Sequence, residues 1–480
     1  MSKRHPDIAH SITIRAEYAN EVGMLGNITS AISSSGGDIG AIDIVSTRPN
    51  IIIRDITINA RDTHHIEEII STISDINGVS IVNISDQVFL RHLGGKIEMQ
   101  SKTPIKTRND MSIVYTPGVA RISNAIKQQP ESVWNLTSKG NTVAVVTDGS
   151  AVLGLGDIGA SASLPVMEGK AQLLKELADI DAWPIAINSK DPEEIINTVK
   201  LISPGFGGIN LEDISSPRCF YIEERLQKEL DIPVFHDDQH GTAVVVLAGL
   251  LNSTKVVNKK IKKLKVVIAG VGAAGISTTK LLMKSGIKDI VGVDQEGIIS
   301  SSSNYSDNPN WEWFAKHTNP RDLSGNLDEA MKGADVFIGL SAPDVISTKH
   351  LKSMSENPIV FAMANPEPEI WPEEALKYVT VMATGRSDYP NQVNNALCFP
   401  GMFRGVLNAR AKEINYEMKI AAAHAIADCV PEDHISSEYI IPSIFDKNVT
   451  RKVAREVAKS ARSTGVARKK SKLDLNAYKA

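Results

Sequence analysis

The segment Gly270–Gly275, with the sequence Gly-Val-Gly-Ala-Ala-Gly, constrains the fold of this chain more than any other. It follows the apolar run Val266–Ala269 and leads into a helical pattern, and a second apolar run, Ile290–Val293, ends in Asp294. The glycines permit a tight turn, close approach of the backbone to a pyrophosphate and close packing of helix on strand. The N–H groups at the start of such a helix bind phosphate. The pattern therefore predicts a Rossmann-type dinucleotide-binding domain.

The acidic residue after the second strand indicates which dinucleotide binds. A carboxylate at Asp294 accepts hydrogen bonds from both ribose hydroxyls of NAD and repels the 2′-phosphate of NADP. Gln295 follows it, so no neighbouring cation is available to hold that phosphate. We therefore expect NAD, with NADP as the alternative. The residues predicted to contact the coenzyme are Gly270, Gly272, Ala273, Ala274, Gly275 and Asp294.

Length and charge are typical of a multidomain protein that binds neither nucleic acid nor a membrane. The chain has 480 residues, which is enough for about three domains of ordinary size. Its 52 Lys and Arg residues nearly balance its 56 Asp and Glu residues, whereas a nucleic-acid or membrane-surface partner calls for a basic excess. The apolar run Ala243–Leu251 is far shorter than the roughly 20 residues that cross a bilayer. With no apolar signal sequence at the start, we expect a cytoplasmic protein.

Residues 8 to about 90 form a small alternating pattern of their own. Strand-like runs and amphipathic helices follow in the order βαββαβ, with a glycine-containing loop between the first strand and the first helix. This order resembles the ACT regulatory domain, whose members bind amino acids or other small effectors at that loop, often across a dimer interface. The resemblance implies effector-binding residues at Asn20, Gly23, Met24 and Leu25. The alternative is a ferredoxin-like module that serves only dimerisation, because fold analogy alone says little about function.

Three carboxylates follow two short apolar strands in the middle of the chain. Glu212 and Asp213 come directly after the run Gly208–Leu211, and Asp238 lies just past Val234–Phe235. Ligands of open α/β sheets bind at the carboxyl ends of parallel strands. An oxygen-only cluster of Asp and Glu favours Mg²⁺ or Mn²⁺ over Zn²⁺. The alternative is that these acids cap helices or lie on the surface.

Lys170 lies in the middle of the apolar face of a predicted helix, Pro165–Ala178. A lysine there either extends its ammonium to solvent or is desolvated with a lowered pKa, which makes it a usable general base. Tyr115, before Thr-Pro-Gly, is typical of a packing residue. Asn365 follows an apolar strand, and Asn394-Asn395 precede Phe-Pro-Gly; such amides either hold a substrate carboxylate or form turns.

Eight segments, taken together, resemble a malic enzyme of the smaller prokaryotic type. They occur in the family's order and cover roughly residues 98 to 440. The segments are Tyr115–Ala120, Thr147–Asp157, Met167–Ala171, Asn210–Ile214, Phe235–Ala243, Gly270–Gly275, Phe361–Pro366 and Asn394–Gly401.

The resemblance assigns roles to individual residues. Lys170 stands at the position of the family's general base and Tyr115 at that of its general acid. The three carboxylates Glu212, Asp213 and Asp238 fall on the metal-ligand positions, and Asn365, Asn394 and Asn395 on or beside residues that contact malate. Ala151 stands where the larger eukaryotic enzymes carry an arginine for a substrate carboxylate, a difference that smaller prokaryotic members share. The partner of the second malate carboxylate is therefore unassigned.

The resemblance also implies an architecture. We expect an α/β protein in which a Rossmann-type domain and an α/β domain of the malic-enzyme N-terminal type follow a βαββαβ, ferredoxin-like ACT domain. The expected divisions are the ACT-like domain at 1–92, the substrate and metal domain at 93–252, the Rossmann domain at 253–408, and C-terminal helices with a basic tail at 409–480.

The implied reaction is the oxidative decarboxylation of L-malate to pyruvate and CO₂, with NAD reduced and Mn²⁺ or Mg²⁺ required. A homodimer or a dimer of dimers is the expected assembly. The alternatives are an oxaloacetate decarboxylase, a hydroxyacid dehydrogenase that does not decarboxylate, and an effector-binding sensor with an inert dehydrogenase domain. Retention of Tyr115, Lys170 and all three carboxylates argues against the sensor.

Overall fold

The computed structural model describes residues 5–152, 154–306 and 308–468. Two sequence predictions involve residues outside these ranges: Leu153 of the segment Thr147–Asp157, and the basic tail beyond Arg468. The chain divides into two compact units, one ending at Met99 and the other beginning at Gln100. The finer boundaries expected at residues 252 and 408 stay a prediction.

The first unit has the predicted order βαββαβ. Its four strands form one antiparallel sheet in the order β2-β3-β1-β4. Its elements are β1 (Asp7–Ala19), α1 (Met24–Ser34), β2 (Asp38–Thr47), β3 (Ile51–Ala60), α2 (Thr63–Ser74), β4 (Val79–Asp86) and α3 (Gln87–His92).

Alternation along β1 builds the core of this unit. Successive side chains of a strand point to opposite faces of the sheet, and every second residue of the later part of β1 is buried. Helices α1 and α2 pack on that face with isoleucines one helical turn apart. Asp62 accepts a hydrogen bond from the His65 N–H and so caps the start of α2. The buried residues of β1, α1 and α2 include Ile12, Ile14, Ala16, Tyr18, Ile28, Ile32, Ile69 and Ile73.

The second unit contains two further sheets. Its strands are β5 (Thr142–Thr147), β6 (Asp181–Ala186), β7 (Gly208–Leu211), β8 (Val234–His236), β9 (Lys265–Ala269), β10 (Asp289–Asp294), β11 (Gly297–Ile298), β12 (Val336–Gly339), β13 (Ile359–Ala362) and β14 (Val381–Thr384). Its helices are α4 (Arg108–Val114), α5 (Gly118–Gln128), α6 (Val133–Leu136), α7 (Gly159–Ala178), α8 (Pro192–Ile202), α9 (Arg218–Glu229), α10 (Thr242–Val256), α11 (Ala273–Lys284), α12 (Pro309–His317), α13 (Leu327–Met331), α14 (Thr348–Ser353), α15 (Pro372–Ala375), α16 (Phe399–Ala409), α17 (Tyr416–Ala427) and α18 (Lys447–Ser463).

Strands β5 to β8 form a parallel sheet in the order β6-β5-β7-β8. The central strands β5 and β7 are apolar and buried on both faces, as parallel strands covered by helices must be. The carboxyl ends of β5, β7 and β8 therefore open at one edge of the sheet. The residues that follow these strands carry the candidate site.

Strands β9 to β14 form the second sheet, in the order β11-β10-β9-β12-β13-β14. All its pairings are parallel except that of β10 with β11. The chain passes from β9 to β10 on one side of the sheet and returns to β12 on the other, so the strand order reverses beside β9. Ligands of doubly wound sheets bind at such a reversal. The predicted Rossmann-type fold is confirmed, and with it the α/β class.

Apolar helices join the two sheets of this unit. Helix α10 follows the turn that carries Asp238 and is buried almost all round, since residues 243 to 250 are all buried. The C-terminal helix α18 is amphipathic and packs on α16 and α17, with Val449, Val453 and Val457 among its buried residues. Among the described helices, none combines the length and apolar character needed to cross a bilayer.

Candidate active site

Three carboxylates meet at the carboxyl edge of the β6-β5-β7-β8 sheet. Glu212 and Asp213 follow β7 directly, and Asp238 lies in one turn of π-helix, Asp237–Gly241, which follows β8. One carboxylate oxygen from each of Glu212, Asp213 and Asp238 lies within 4.8 Å of the others. The backbone N–H of Asp213 donates to Oδ2 of Asp238 at 2.8 Å, which ties the two strand ends together. The predicted cluster is thus assembled by the fold.

The electrostatics of this cluster fit a divalent cation. Burial, together with the negative charges of the neighbouring acids, raises the pKa of Glu212 well above its ordinary value. Burial and then Asp238 raise the pKa of Asp213 to about 7. Anions this close are costly in a buried place unless a positive charge offsets them. Carboxylate oxygens are the ligands that Mg²⁺ and Mn²⁺ prefer, so the donor set matches the metal expected from the sequence.

Lys170 projects from the middle of α7 into the same cluster. Its Nζ lies 2.5 Å from Oδ2 of Asp237 and 3.1 Å from Oε1 of Glu212, and 4.8 Å from the ring centroid of Phe399. The side chain is 18% exposed, so it does not extend to solvent. Burial alone lowers the pKa of Lys170, but Asp237, Glu212 and Asp238 outweigh it and raise the pKa above its ordinary value. Neither alternative expected from the sequence is found: the ammonium does not reach solvent, and its pKa is raised rather than lowered.

Asp237 is a site residue that the sequence reasoning missed. Its side chain is completely buried. Oδ2 accepts from the ammonium of Lys170, and Asn395 lies 3.3 Å away through its Nδ2. Its signal in the sequence is the adjacent acidic pair Asp237-Asp238, of which the family resemblance marks only the second residue as a ligand.

The three asparagines differ in how they meet the site. Asn395 contacts Asp237 and accepts a hydrogen bond from the Thr242 hydroxyl at 3.2 Å, so it belongs to the cluster around Lys170. Asn394 accepts from the backbone N–H of Ala396, which is the turn role considered as its alternative. Asn365 comes three residues after β13.

The loop of Gly154 lies against the backbone of the Asn365 segment. A Cβ on Gly154 would lie 3.4 Å from the Asn365 carbonyl oxygen and 3.1 Å from Pro366 Cδ. The backbone N–H of Ala151, in the same loop, donates to the Asp213 carbonyl at 2.9 Å. One loop therefore contacts both the Asn365 segment and the end of β7.

Tyr115 lies apart from this cluster within the single chain. It directly follows α4 as the C-cap residue, and it is 62% exposed. None of the contacts between described side chains joins the Tyr115 hydroxyl to Lys170 or to the three carboxylates. Helices α4 and α5 expose several other apolar side chains, namely Met111, Ile113, Val114, Val119 and Ile122.

The dinucleotide fingerprint has the geometry that its sequence predicts. Gly270 has φ of 92°, and a Cβ there would lie 2.5 Å from the Leu340 carbonyl oxygen and 2.9 Å from Ser341 Cβ. Helix α11 starts without a side-chain cap, which leaves its first N–H groups available to phosphate. Asp294 accepts from the Val271 N–H at 2.9 Å, so its carboxylate lies against the glycine-rich loop.

The predicted effector residues surround the start of α1 in the first unit. Gly23 has φ of 101° and no atom within 4 Å of an added Cβ, so the space above it is open. Asn20 donates to the Arg48 carbonyl at 3.1 Å and holds the β2–β3 turn. Met24 is the first residue of α1, and Leu25 follows it.

Comparison with known proteins gives the family. Residues 239–462 match the family described as malic enzyme, NAD binding domain, and residues 94–192 and 188–227 match malic enzyme, N-terminal domain. Residues 8–83 match the ACT domain. The chain is 58% identical to the NAD-dependent malic enzyme of Geobacillus stearothermophilus over 96% of each chain. The chain belongs to the malic enzyme family.

Other relatives agree with this membership. The chain is 53% identical to the bifunctional malic/malolactic enzyme of Bacillus subtilis, over 78% of this chain and 92% of that protein. The crystal structure of malic enzyme from Pyrococcus horikoshii matches with a TM-score of 0.76 and 50% identity, covering 79% of this malic enzyme and 89% of that chain. The NAD-dependent malic enzyme of Thermotoga maritima matches with a TM-score of 0.75 and 47% identity, over 78% and 99%. Two predictions are confirmed: the chain is an oxidoreductase of the malic enzyme class, and it has an ACT domain at residues 8–83.

Proposed function

We propose that this malic enzyme oxidises L-malate with NAD and decarboxylates the product to pyruvate and CO₂, in a reaction that requires Mn²⁺ or Mg²⁺. The observation that carries the proposal is the arrangement of Lys170 beside three clustered carboxylates, with one oxygen of each within 4.8 Å of the others. A general base and an oxygen-ligand metal site in contact are what oxidation of a hydroxyl next to a carboxylate needs. The malate and NAD assignments follow those of the relatives named above.

Glu212, Asp213 and Asp238 are the proposed metal ligands. A divalent cation bound by these three carboxylates would supply positive charge to stabilise the negative charge that develops on the C2 oxygen of malate. Positive charge at that place would also offset the carboxylates of Glu212 and Asp238, which raise the pKa of Lys170. Burial of Lys170 favours the neutral form that accepts a proton.

Lys170 is the proposed general base. It takes the proton of the malate hydroxyl as the hydride on C2 passes to the nicotinamide, which leaves a ketone at C2. The bond between C3 and the C4 carboxylate then breaks, CO₂ leaves, and its electron pair forms the enolate of pyruvate. Asp237 holds the Lys170 ammonium in place, and Asn365 and Asn395 offer amides to a malate carboxylate. A proton delivered to C3 completes the reaction.

Tyr115 is the proposed source of that last proton, supplied across a homodimer. Within one chain Tyr115 is exposed, and α4 and α5 present further apolar side chains to solvent. Contiguous exposed apolar surface is typical of an interface. In a two-fold dimer, helices α4 and α5 of each subunit would cover the active site of the other. Tyr115 of the partner subunit would then lie near Lys170.

Mixing two inactive variants tests this arrangement. In a mixed dimer of Lys170→Ala with Tyr115→Phe, one site holds an intact lysine and an intact tyrosine only if the tyrosine crosses the interface. After subunit exchange we expect recovery of up to about a quarter of wild-type activity, because half the dimers are mixed and each has one complete site. No recovery, with exchange verified by mass spectrometry, would place the tyrosine in the site of its own chain, and full activity of Tyr115→Phe by itself would place it outside the reaction.

The proposed activity is tested by following nicotinamide reduction with L-malate, Mn²⁺ and either NAD⁺ or NADP⁺, and by assaying pyruvate. We expect metal-dependent reduction with one pyruvate formed for each coenzyme reduced, and a preference for NAD⁺. Pyruvate formed from oxaloacetate without coenzyme turnover would favour the decarboxylase, and a product other than pyruvate the simple dehydrogenase. No reaction with either coenzyme, across a panel of amino acids, would favour the sensor.

The ACT domain is the proposed site of regulation by a small effector, with an amino acid as the first class to test. Support comes from the open space at Gly23 and from the start of α1, which has no side-chain cap. The N-terminus of a helix stabilises a negative charge, such as the carboxylate of an amino acid. We expect one amino acid of a panel to change the malate KM of the full chain. Deletion of residues 1–92 should abolish that response, and a truncated enzyme that still responds fully would place the effector site elsewhere.

A further inference from the structure

Glu369 is a completely buried carboxylate in the Rossmann-type domain that none of the roles above uses. It lies in the segment between β13 and α15 and accepts two backbone hydrogen bonds, one at each oxygen. Oε1 accepts from the Ser341 N–H at 3.1 Å, and Oε2 accepts from the Ala364 N–H at 3.0 Å. One side chain therefore joins the loops that follow two neighbouring parallel strands, β12 and β13.

Each of these two loops leads to a different part of the active site. Ser341 packs against Gly270, the first glycine of the dinucleotide fingerprint, where an added Cβ would lie 2.9 Å from Ser341 Cβ. Ala364 is the residue directly before Asn365. The carboxylate thus connects the coenzyme-binding loop to the amide proposed to hold malate.

Burial of the Glu369 carboxylate disfavours its charged form, so this connection has an electrostatic cost. Burial raises the pKa of Glu369, and the groups that oppose this are backbone N–H groups, foremost those of Ala364 and Ser341. Gly339 makes room for the carboxylate, since a Cβ there would lie 2.3 Å from Glu369 Cδ. An apolar side chain would fill this space without desolvating a charge. The two hydrogen bonds, rather than the packing, are what the glutamate contributes.

We propose that Glu369 is a positioning residue that sets Asn365 in register with the coenzyme loop, so that malate and nicotinamide meet in the geometry for hydride transfer. A loop displaced from this register contacts its own ligand less well, so the effect is expected in the binding of malate and of coenzyme. The inference rests on the proposed role of Asn365. It implies that loss of the carboxylate weakens the binding of both malate and coenzyme, whereas loss of the Asn365 amide weakens only that of malate.

The test compares Glu369→Gln with Glu374→Gln, a matched change of an exposed glutamate in α15. The amide keeps the shape of Glu369 but turns an N–H₂ group toward one of the two backbone N–H donors, so one hydrogen bond is lost. We expect KM for malate and KM for NAD⁺ each to rise by roughly fivefold to fiftyfold, as loss of a buried hydrogen bond implies. The affinity for NADH, measured by its fluorescence in the absence of turnover, should fall in Glu369→Gln as well. In Glu374→Gln, both KM values and the NADH affinity should equal those of wild type.

A purely structural role predicts a different result for Glu369→Gln. The melting temperature and the fraction of active enzyme would fall, with both KM values and the NADH affinity unchanged, and that outcome overturns the inference. If Glu369→Gln does not fold, Glu369→Asp keeps the charge but shortens its reach, and the same two KM values decide.

Asn365→Ala separates this inference from the function on which it rests. We expect a raised malate KM with unchanged NADH affinity. An unchanged malate KM would reject the substrate role of Asn365 itself. A raised malate KM in Asn365→Ala, with neither KM altered in Glu369→Gln, would reject only the positioning role of Glu369.

Discussion

The ammonium of Lys170 lies 2.5 Å from a carboxylate oxygen of Asp237, a residue that comes directly before the proposed metal ligand Asp238. The contact brings together the middle of α7 and the turn after β8. A lysine that must lose its charge to act as a base is therefore fixed in place by a carboxylate outside the proposed ligand set. Glu212, a proposed ligand, lies 3.1 Å from the same ammonium, so Lys170 contacts one carboxylate outside the proposed ligand set and one within it.

Asp237→Asn is expected to separate the positioning of Lys170 from the binding of metal. The amide keeps the size of the side chain but loses the charge that orients Lys170, so kcat should fall by roughly a hundredfold, as for other general-base defects. Mn²⁺ affinity, measured by calorimetry, should stay close to that of wild type, because the three proposed ligands remain. Asp335→Asn, which breaks a Lys–Asp contact with Lys259 elsewhere in the unit, is the control. An unchanged kcat would remove Asp237 from the mechanism.

Asp213→Asn is expected to raise the stability of the metal-free enzyme while abolishing its stabilisation by metal. In the absence of a cation the three carboxylates repel one another in a buried place, so removing one charge should increase the free energy of unfolding by about 1 kcal/mol. Wild-type enzyme should gain about 2–3 kcal/mol at Mn²⁺ concentrations near one hundred times its Kd, and the variant little.

The measurement is thermal unfolding in EDTA and then across a Mn²⁺ series, with the exposed change Glu224→Gln as the control. A variant less stable than wild type in EDTA would mean that hydrogen bonds of Asp213 outweigh the repulsion. An undiminished gain with Mn²⁺ would place the metal elsewhere.

Local pattern was sufficient to predict most of the fold. The apolar runs before Glu212 and Asp238 are strands β7 and β8, and the glycine-rich segment lies between β9 and α11 as predicted. These features depend on residues that are close in sequence. Examples are the apolar runs of the strands and the spacing of the glycines in one turn. The helix of Lys170 begins six residues earlier than predicted, at Gly159, because Pro165 is accommodated inside it.

The remaining site residues depend on contacts between distant parts of the chain. Asp237 contacts Lys170, which lies 67 residues earlier in the sequence. Glu369 accepts hydrogen bonds from backbone N–H groups, and since every residue except proline has one, the sequence does not indicate which of them it contacts. The sequence leaves Lys170 either exposed to solvent or buried with a lowered pKa, whereas three carboxylates from distant segments raise its pKa in the folded chain. Tyr115 is a different case, because the single chain leaves it exposed.

Replacing Asp294 and its neighbour is expected to change the choice of coenzyme. The paired change Asp294→Ser with Gln295→Arg removes the carboxylate that repels a 2′-phosphate and adds a cation to bind it. We expect the ratio of kcat/KM for NADP⁺ to that for NAD⁺ to rise at least tenfold. Asp294→Ser alone should weaken NAD⁺ binding, partly because the Val271 N–H loses its acceptor. A ratio that stays constant in both variants would mean that other residues read the ribose.

A buried lysine outside the site gives a prediction about alkaline pH. Lys419, in α17, is 5% exposed, and its Nζ lies 5.1 Å from the ring centroid of Tyr416. Burial lowers the pKa of Lys419 from 10.5 to about 8, with Lys280 acting in the same direction and Glu223 and Cys398 opposing it. The folded enzyme therefore releases this proton at a lower pH than the unfolded chain does.

The sign of the effect on stability follows from which state holds the proton. Below pH 8 both states are protonated at Lys419, and between pH 8 and pH 10.5 only the unfolded chain is. Because the unfolded state then binds more protons, the contribution of Lys419 to the free energy of unfolding increases with pH, by about 3 kcal/mol over this window. Lys419→Met, compared with wild type in urea unfolding, isolates the term from other groups that titrate in the same range. The free energy of unfolding of wild type, relative to that of this variant, should increase between pH 8 and pH 10.5.

Lys284→Met is the control, because it removes an exposed lysine that lies above the same Tyr416 ring. If the difference in free energy of unfolding between wild type and Lys419→Met stays constant or decreases as the pH rises, Lys419 keeps its charge in the folded enzyme, held there by Glu223.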